Sequence, residues 1–414
     1  MTAPARGPVV VIGAGPAGVA AAEAAVEAGA PCALLDEGPP TAAWAGLPAS
    51  LRRRVDARWR AAALAVWADR RVLLRQGRRT LLLGARGVVV ATGANDLSVP
   101  WPGWTLQGVL PSREALRAPA ALEGRGLVIG VAPFALETAL RLRRRGARLA
   151  AVAFVGPRPS AEQRLFLWGD EADAAAELAR AGVTLLESTA MIEAIGERGQ
   201  VVAAAVAPAR ESDWMPRSTE RRLVRADYVV CAYGPVPEAA LCRAAGCRAA
   251  DEPASGWAPR VDERLETSVP GLFCAGAAAG SRGLGLARAH GREAGAAAAG
   301  RALTRLRRLW PGRAACDAAY APRPGLWAAA TPATVVCPCE GVSLQALRAE
   351  AAREPGRDIA ALKLATRVGM GECQGRRCGP AARALCGAWA AGTFGARPPA
   401  RPVELGALAR MEEA

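Results

Sequence analysis

The chain reads as an α/β protein built from two parallel-sheet nucleotide-binding units, one inserted in the other, followed by a small helical module bearing cysteines. Three observations predict this. A strand, glycine-rich turn, helix and strand succeed one another at residues 8–36, the same run recurs at 126–156, and four cysteines form two close pairs near the C-terminus. With 414 residues the chain is too long for one core, so two or three domains are expected.

In the first run, "PVVVIGAGPAGVAAAEAAVEAGAPCALLD", an apolar strand enters a G-x-G-x-x-G turn at Gly13, Gly15 and Gly18, with Pro16 and Ala17 inside it. The three glycines serve a tight turn, close approach of backbone to a pyrophosphate, and close helix–strand packing. The following helix offers its unpaired N–H groups to phosphate. Asp36, with Glu37 beside it, ends the second strand where a carboxylate can grip ribose hydroxyls. Strand, glycines, helix and acid in register make this Rossmann-like unit a site for the ADP moiety of a dinucleotide.

The second run, "GLVIGVAPFALETALRLRRRGARLAAVAFVG", keeps the form and loses the chemistry. Alanines (Ala132 and Ala135) stand where the second and third glycines would be, and Ala153 stands where the acid would be. A β-carbon at the second position blocks the pyrophosphate. A retained fold without a working NAD(P) site is expected.

The cysteines read C-x-C at Cys337 and Cys339 and C-x4-C at Cys373 and Cys378. Four thiolates can hold zinc or an iron–sulfur cluster. Structural zinc usually spaces its cysteines by two to four residues, and C-x-C is tighter than that. All-thiolate ligation is ordinary for [2Fe-2S], and the nucleotide-binding scaffold next to it favours a redox role. Arg367, Arg376 and Arg377 lie close by, where positive charge would ease reduction of an anionic cluster. The other cysteines read as small core residues.

Bulk composition bounds the rest. The net charge is +15, yet Lys363 is the sole lysine and the arginines are scattered without interleaved aromatics, so nucleic acid is not an expected partner. Eleven cysteines spread along the chain do not form a secreted disulfide framework, which points to the cytoplasm. No uncharged apolar stretch reaches the ~18 residues of a membrane span, so any membrane association would be peripheral. With a single histidine, His290, no hydrolytic triad or zinc-protease motif is available.

Further stretches carry a resemblance. "VVVATGAN" (88–95), "ADYVVCAYGPVPEAAL" and "TSVPGLFCAGAAAG" (within 226–280) resemble segments of glutathione-reductase-like flavoproteins with two dinucleotide folds. "CPCEGVS" and "GMGECQGRRCGP" resemble the [2Fe-2S] module of bacterioferritin-associated ferredoxins. In this order the parts resemble the alpha subunits of heteromeric, dye-linked amino-acid dehydrogenases, a family that includes proline and hydroxyproline dehydrogenases, opine oxidases and hydrogen cyanide synthase. The resemblance implies FAD on the first unit, held by the glycine turn, Asp36, Glu37, the strand end Ala91-Thr92-Gly93 and the pair Gly276-Ala277. It implies a [2Fe-2S] cluster on the four cysteines. It also implies partners: a D-amino-acid-oxidase-like flavoprotein subunit that oxidises the amine, and a small ferredoxin-like subunit. Two positions depart from the pattern. The Gly-Gly-Gln usual after the acid is replaced by "GPPTAAWAGLP", and the usual Gly-Asp is Gly276-Ala277. The adenosine grip is intact while the flavin end has lost polar contacts, so ADP or ATP is the alternative occupant.

The expected organisation is a flavin-type domain from 1–118 and 226–305, an inserted degenerate domain at 119–225, a linker at 306–333, a cluster domain at 334–395 and a tail at 396–414. The expected function is electron relay within an amino-acid or amine dehydrogenase. The rivals are an NAD(P)H-dependent reductase and a structural subunit that only binds nucleotide.

Overall fold

The structure, a computed structural model, describes residues 7–168, 173–250, 256–281, 283–301, 310–353, 358–387, 394 and 397–413. Its first sheet has five parallel strands in the order Leu272–Cys274, Gly87–Val90, Val9–Ile12, Cys32–Asp36, Val55–Trp59. Val9, Val10 and Val11 are fully buried because both faces are covered. Val9 and Val11 meet helices Pro16–Glu27 and Leu284–Ala298, while Val10 and Ile12 meet an antiparallel layer formed by Ala61–Val66, Arg71–Gln76 and Arg79–Gly84. The two helices pack backbone to backbone: a β-carbon on Gly291 would lie 2.0 Å from the Ala17 carbonyl oxygen, and one on Gly295 2.1 Å from that of Ala21. His290 on the same helix is fully buried.

The second sheet is also parallel, in the order Thr184–Leu186, Arg148–Val155, Arg125–Val131, Tyr228–Ala232, Val109–Pro111. Helix Ala132–Arg144 covers one face. The other face meets the antiparallel strands Thr189–Glu197, Gln200–Pro208 and Arg222–Arg225. A third core, around Val336, Leu344, Leu347, Ile359 and Leu362, belongs to the C-terminal module of one short hairpin and helices Leu344–Arg353, Ile359–Thr366 and Gly379–Cys386.

Three expected boundaries are corrected. Val109–Pro111 and Tyr228–Ala232 are expected in the flavin-type domain, yet both are strands of the inserted sheet, because Val229 and Val230 pair with Leu127 and Val128 on one side and with Val109 and Leu110 on the other. Residues 310–333 are not an extended linker. Helix Trp310–Tyr320 and the turn Pro324–Trp327 bury Cys316, Tyr320 and Leu326 in the core of the second sheet. The tail is no appendage either, since Met411–Glu413 pairs with Arg79–Gly84 and Ala400 donates its N–H to the Leu64 carbonyl at 2.6 Å. The expected joints at 305/306 and 395/396 lie outside the described residues, apart from their flanks.

Candidate nucleotide and iron–sulfur site

The first glycine turn has the geometry that phosphate needs. Gly13 adopts φ 103°, and a β-carbon there would sit 2.4 Å from the Ala91 carbonyl oxygen. Gly18 is closed in the same way, 1.7 Å from the Gly13 carbonyl oxygen. Gly15 is different: a β-carbon on it would meet nothing within 4 Å, because it faces a cavity. That cavity, about 520 Å³, is lined by Gly13, Gly15, Pro16, Asp36, Glu37 and the strand end Ala91, Thr92 and Gly93. Helix Pro16–Glu27 starts at its wall with proline in its first turn, where a missing N–H breaks no bond. Ala17 is buried behind the turn.

Asp36 ties the turn together. Its Oδ2 accepts from the Ala14 N–H at 2.6 Å and its Oδ1 from the Gly38 N–H at 2.8 Å. Each oxygen keeps acceptor capacity for a ribose hydroxyl. The Thr41 hydroxyl donates to the Ala14 carbonyl at 2.6 Å and caps Trp44, fixing the far rim. Glu37 pairs with Arg401 at 3.1 Å.

Arginines dominate the remaining wall. Arg113, Arg117, Arg376 and Arg401 line the cavity, and a neighbouring open cleft of about 930 Å³ adds Arg60 and Arg75. Sequence alone gives no reason to assign these to the nucleotide, because they come from four distant segments. At the strand end the Thr92 hydroxyl donates to the Glu238 carbonyl, and the Glu238 N–H returns to the Gly93 carbonyl at 3.0 Å. The Glu238 carboxylate accepts from Asn95 Nδ2 at 2.5 Å and from Arg376 Nε at 2.7 Å. Burial pushes this carboxyl up, but the Arg376 guanidinium and the Asn95 amide outweigh it and hold it below its ordinary value.

Gly276 and Ala277 are not in the cavity wall. They begin a 3-10 turn in which Gly276 has φ 67° and its missing β-carbon would sit 2.7 Å from Ala17 Cβ. The fit is therefore uneven: the residues that would hold the adenosine, ribose and pyrophosphate of FAD converge, while the pair expected at the ribityl chain packs against a helix instead.

The four cysteines do converge. Cys337 ends the hairpin strand Val335–Cys337, and Cys378 precedes helix Gly379–Cys386. The four side chains interact in a row, Cys378 with both Cys337 and Cys373, and Cys373 with Cys339. The Cys378 thiol draws Cys337 down to about 6 and Cys373 down to about 5, and is itself pushed up by those two contacts. Burial raises Cys339. Among the described residues no three His, Cys, Asp or Glu side chains are gathered as a single ion would require. All-thiolate ligation is ordinary for a [2Fe-2S] cluster, and the four cysteines present fit that group. Arg367 pairs with Glu340 at 2.8 Å and Arg377 lies 5.5 Å over the Trp104 ring, so of the three arginines near the cluster only Arg376 reaches the nucleotide cavity.

The space at Gly130 is about 10 Å³. Trp214, 1% exposed, comes from the loop between Gln200–Pro208 and Arg222–Arg225, and its ring lies 3.3 Å from where a β-carbon of Gly156 would be. Arg323 stacks 5.0 Å over the Trp214 ring and donates to the Ser212 carbonyl at 3.1 Å, and the Gly325 N–H donates to the Asp213 carbonyl at 2.8 Å. Ala153, at the acid position, is fully buried in the core.

Comparison with known proteins gives two family matches. Residues 7–297 match the model of the pyridine nucleotide-disulphide oxidoreductase family, and residues 335–386 match the BFD-like [2Fe-2S] binding domain. One opine oxidase subunit from Rhizobium meliloti (strain 1021) is 30% identical, covering 98% of both chains. Hydrogen cyanide synthase subunit HcnB of Pseudomonas aeruginosa is 30% identical over 89% of this chain and 90% of its own. The structure of L-proline dehydrogenase from P. horikoshii superposes with a TM-score of 0.67 at 18% identity, covering 98% of this chain and 79% of that one. The chain belongs to the pyridine nucleotide-disulphide oxidoreductase family and carries a BFD-like [2Fe-2S] domain. It is an oxidoreductase whose cofactors are FAD and a [2Fe-2S] cluster.

Proposed function

We propose that this family member is the electron-relay subunit of a multi-subunit dehydrogenase acting on a CH–NH donor of the proline, hydroxyproline, opine or glycine type. One observation carries the reading. The loop that bears Cys373 and Cys378 forms part of the nucleotide cavity through Arg376, while the place for a pyridine nucleotide on the second sheet is filled by Trp214. With that place filled, this reading has the electrons enter from another protein rather than from NAD(P)H.

FAD supplies the exchange between electron pairs and the single electrons that an iron–sulfur cluster carries. The chain's own residues bind and orient. Gly13, Gly15 and the helix start take the pyrophosphate, Asp36 and Glu37 face the ribose, and Thr92 and Gly93 fix the strand end against Glu238. Cys337, Cys339, Cys373 and Cys378 hold the cluster, and Trp214 keeps competing dinucleotides out. The amine is oxidised on a D-amino-acid-oxidase-like partner, with a small ferredoxin-like subunit completing the assembly. Two relatives are themselves named as subunits, which supports this division of labour. Cysteines that form no disulfide suit the cytoplasm, and among the described residues no helix is long and apolar enough to cross a membrane.

Coexpression with such a partner tests the reading. Substrate-dependent dye reduction is expected only when both chains are present, and the complex should weaken with salt as arginine-rich surface meets acidic surface. Dye reduction by the single chain would overturn it. A second reading, a subunit that holds ADP or ATP without carrying electrons through it, is favoured by the position of Gly276 and Ala277 away from the cavity. Acid release and chromatography of the bound nucleotide separate the two.

A further inference from the structure

Arg376 stands between Cys373 and Cys378 and makes contacts in its own loop and in two other parts of the chain. Its Nη1 donates to the carbonyl of Cys373 at 3.3 Å, within its own loop. Its Nε donates to Glu238 at 2.7 Å, and its Nη2 to the Ala400 carbonyl at 2.7 Å. The arginine side chain is 15% exposed and that of Glu238 is 9% exposed, so this ion pair is largely withdrawn from water. Through Glu238 the contact runs to Thr92 and Gly93, and through Ala400 it runs to Arg401 and its partner Glu37. All six lie on the nucleotide cavity. One side chain of the cluster loop therefore joins two runs of contacts along the wall of the nucleotide cavity.

We propose that Arg376 is a positioning residue that couples the two cofactor sites, so that a phosphate-bearing nucleotide in the cavity lowers the reduction potential of the cluster. By the same linkage, reduction of the cluster loosens the nucleotide. The inference rests on the assignment of both cofactors and on their relay role. A guanidinium is always charged, and this one can neither lose its proton nor move into solvent to be screened. Glu238, the cluster and an incoming phosphate all draw on that one cation. A phosphate on its cavity side leaves less of its field for the electron added to the cluster. The shift also has a mechanical route, because displacing the guanidinium displaces the Cys373 carbonyl it holds. Arg113, Arg117 and Arg401 face the same cavity without contacting the cluster loop, so they strengthen nucleotide binding in both redox states alike.

The test is an EPR-monitored redox titration of the full chain with its cluster in place, first dialysed free of nucleotide and then with saturating ADP as the probe. ADP should bind roughly tenfold more weakly to the reduced protein, which is a potential lowered by about 59 mV for a one-electron couple. Arg376→Gln should cut that to about twofold or less, and Arg353→Gln, an exposed pair on the same module, should leave it intact. Glu238→Gln frees the guanidinium and should enlarge the shift, which keeps the test alive if Arg376→Gln does not assemble a cluster. Equal shifts in the native chain and Arg376→Gln, no shift in the native chain, or no change in Glu238→Gln would each overturn the coupling. A failure of partner-dependent activity alone would leave the shift in place, so the relay reading and the coupling can fail separately. A chain without iron and sulfide would end both.

Discussion

At the turn after Val9–Ile12, a methyl group added to Gly15 would reach into open space, whereas the turn after Arg125–Val131 faces a gap of about 10 Å³ closed by Trp214. Both sheets are parallel, and each has a helix directly after its central strand. What separates them is what the rest of the chain brings to the mouth of each. The first receives arginines and the cluster loop, and the second receives an indole and the 310–327 segment. A nucleotide-binding fold thus becomes a scaffold when its cleft is packed like a core, and the missing glycine and acid follow because nothing needs to approach there.

The largest effect that can break the comparison is at the cluster, whose loop reaches the first cleft through Arg376. Cys378→Ala should abolish the iron–sulfur absorption and EPR signal of the purified chain, with iron and sulfide lost together and the flavin bands left, and Cys386→Ala should leave the spectrum unchanged. Zinc in the anaerobically purified native chain would contradict the assignment. Opening the second cleft is next. Trp214→Ala removes a fully packed ring and should destabilise the chain by about 3–5 kcal/mol, read from thermal or urea unfolding. It should still not confer NADH oxidation, because Ala132 and Ala153 remain.

Gly15→Val sharpens the first cleft. The side chain points into the cavity, so FAD retention should weaken by ~10²-fold, about 2.7 kcal/mol, while the nucleotide-free protein melts within about 2 °C of the native chain. Gly13→Ala differs in kind, because its β-carbon collides with Ala91 at a left-handed φ, and here the fold itself should lose stability. The smallest effect is Ala277→Asp. From the sequence a carboxylate there would be expected to hold the ribityl chain, yet Ala277 lies off the cavity, so FAD affinity should change by less than about threefold. Tightening by tenfold would place the flavin on the far side of Gly276.

Local chemistry was legible in the sequence, and long-range assembly was not. The Gly13–Gly18 turn, Asp36 and the four cysteines announce themselves because their spacing is set by the ligand. Ala132 and Ala153 lack that chemistry, which is the reason a silent second cleft is expected. Nothing in "YVVCA" says which sheet it joins, since a fully buried parallel strand has the same composition in either, and its partners are about a hundred residues away. The proline- and alanine-rich 310–333 stretch resembles a linker until Tyr320 and Leu326 are seen against Trp214. Glu238 and Arg376 are 138 residues apart, and a single sequence carries no sign that they touch.

The central claim is that the first cleft works with the cluster while the second no longer takes a pyridine nucleotide. Anaerobic mixing of the purified chain with excess NADH, followed in the flavin and iron–sulfur bands, tests it most directly. The account predicts that both stay oxidised until the partner flavoprotein and its CH–NH substrate are added, after which the bands bleach. Stoichiometric bleaching by NADH with the single chain would contradict it.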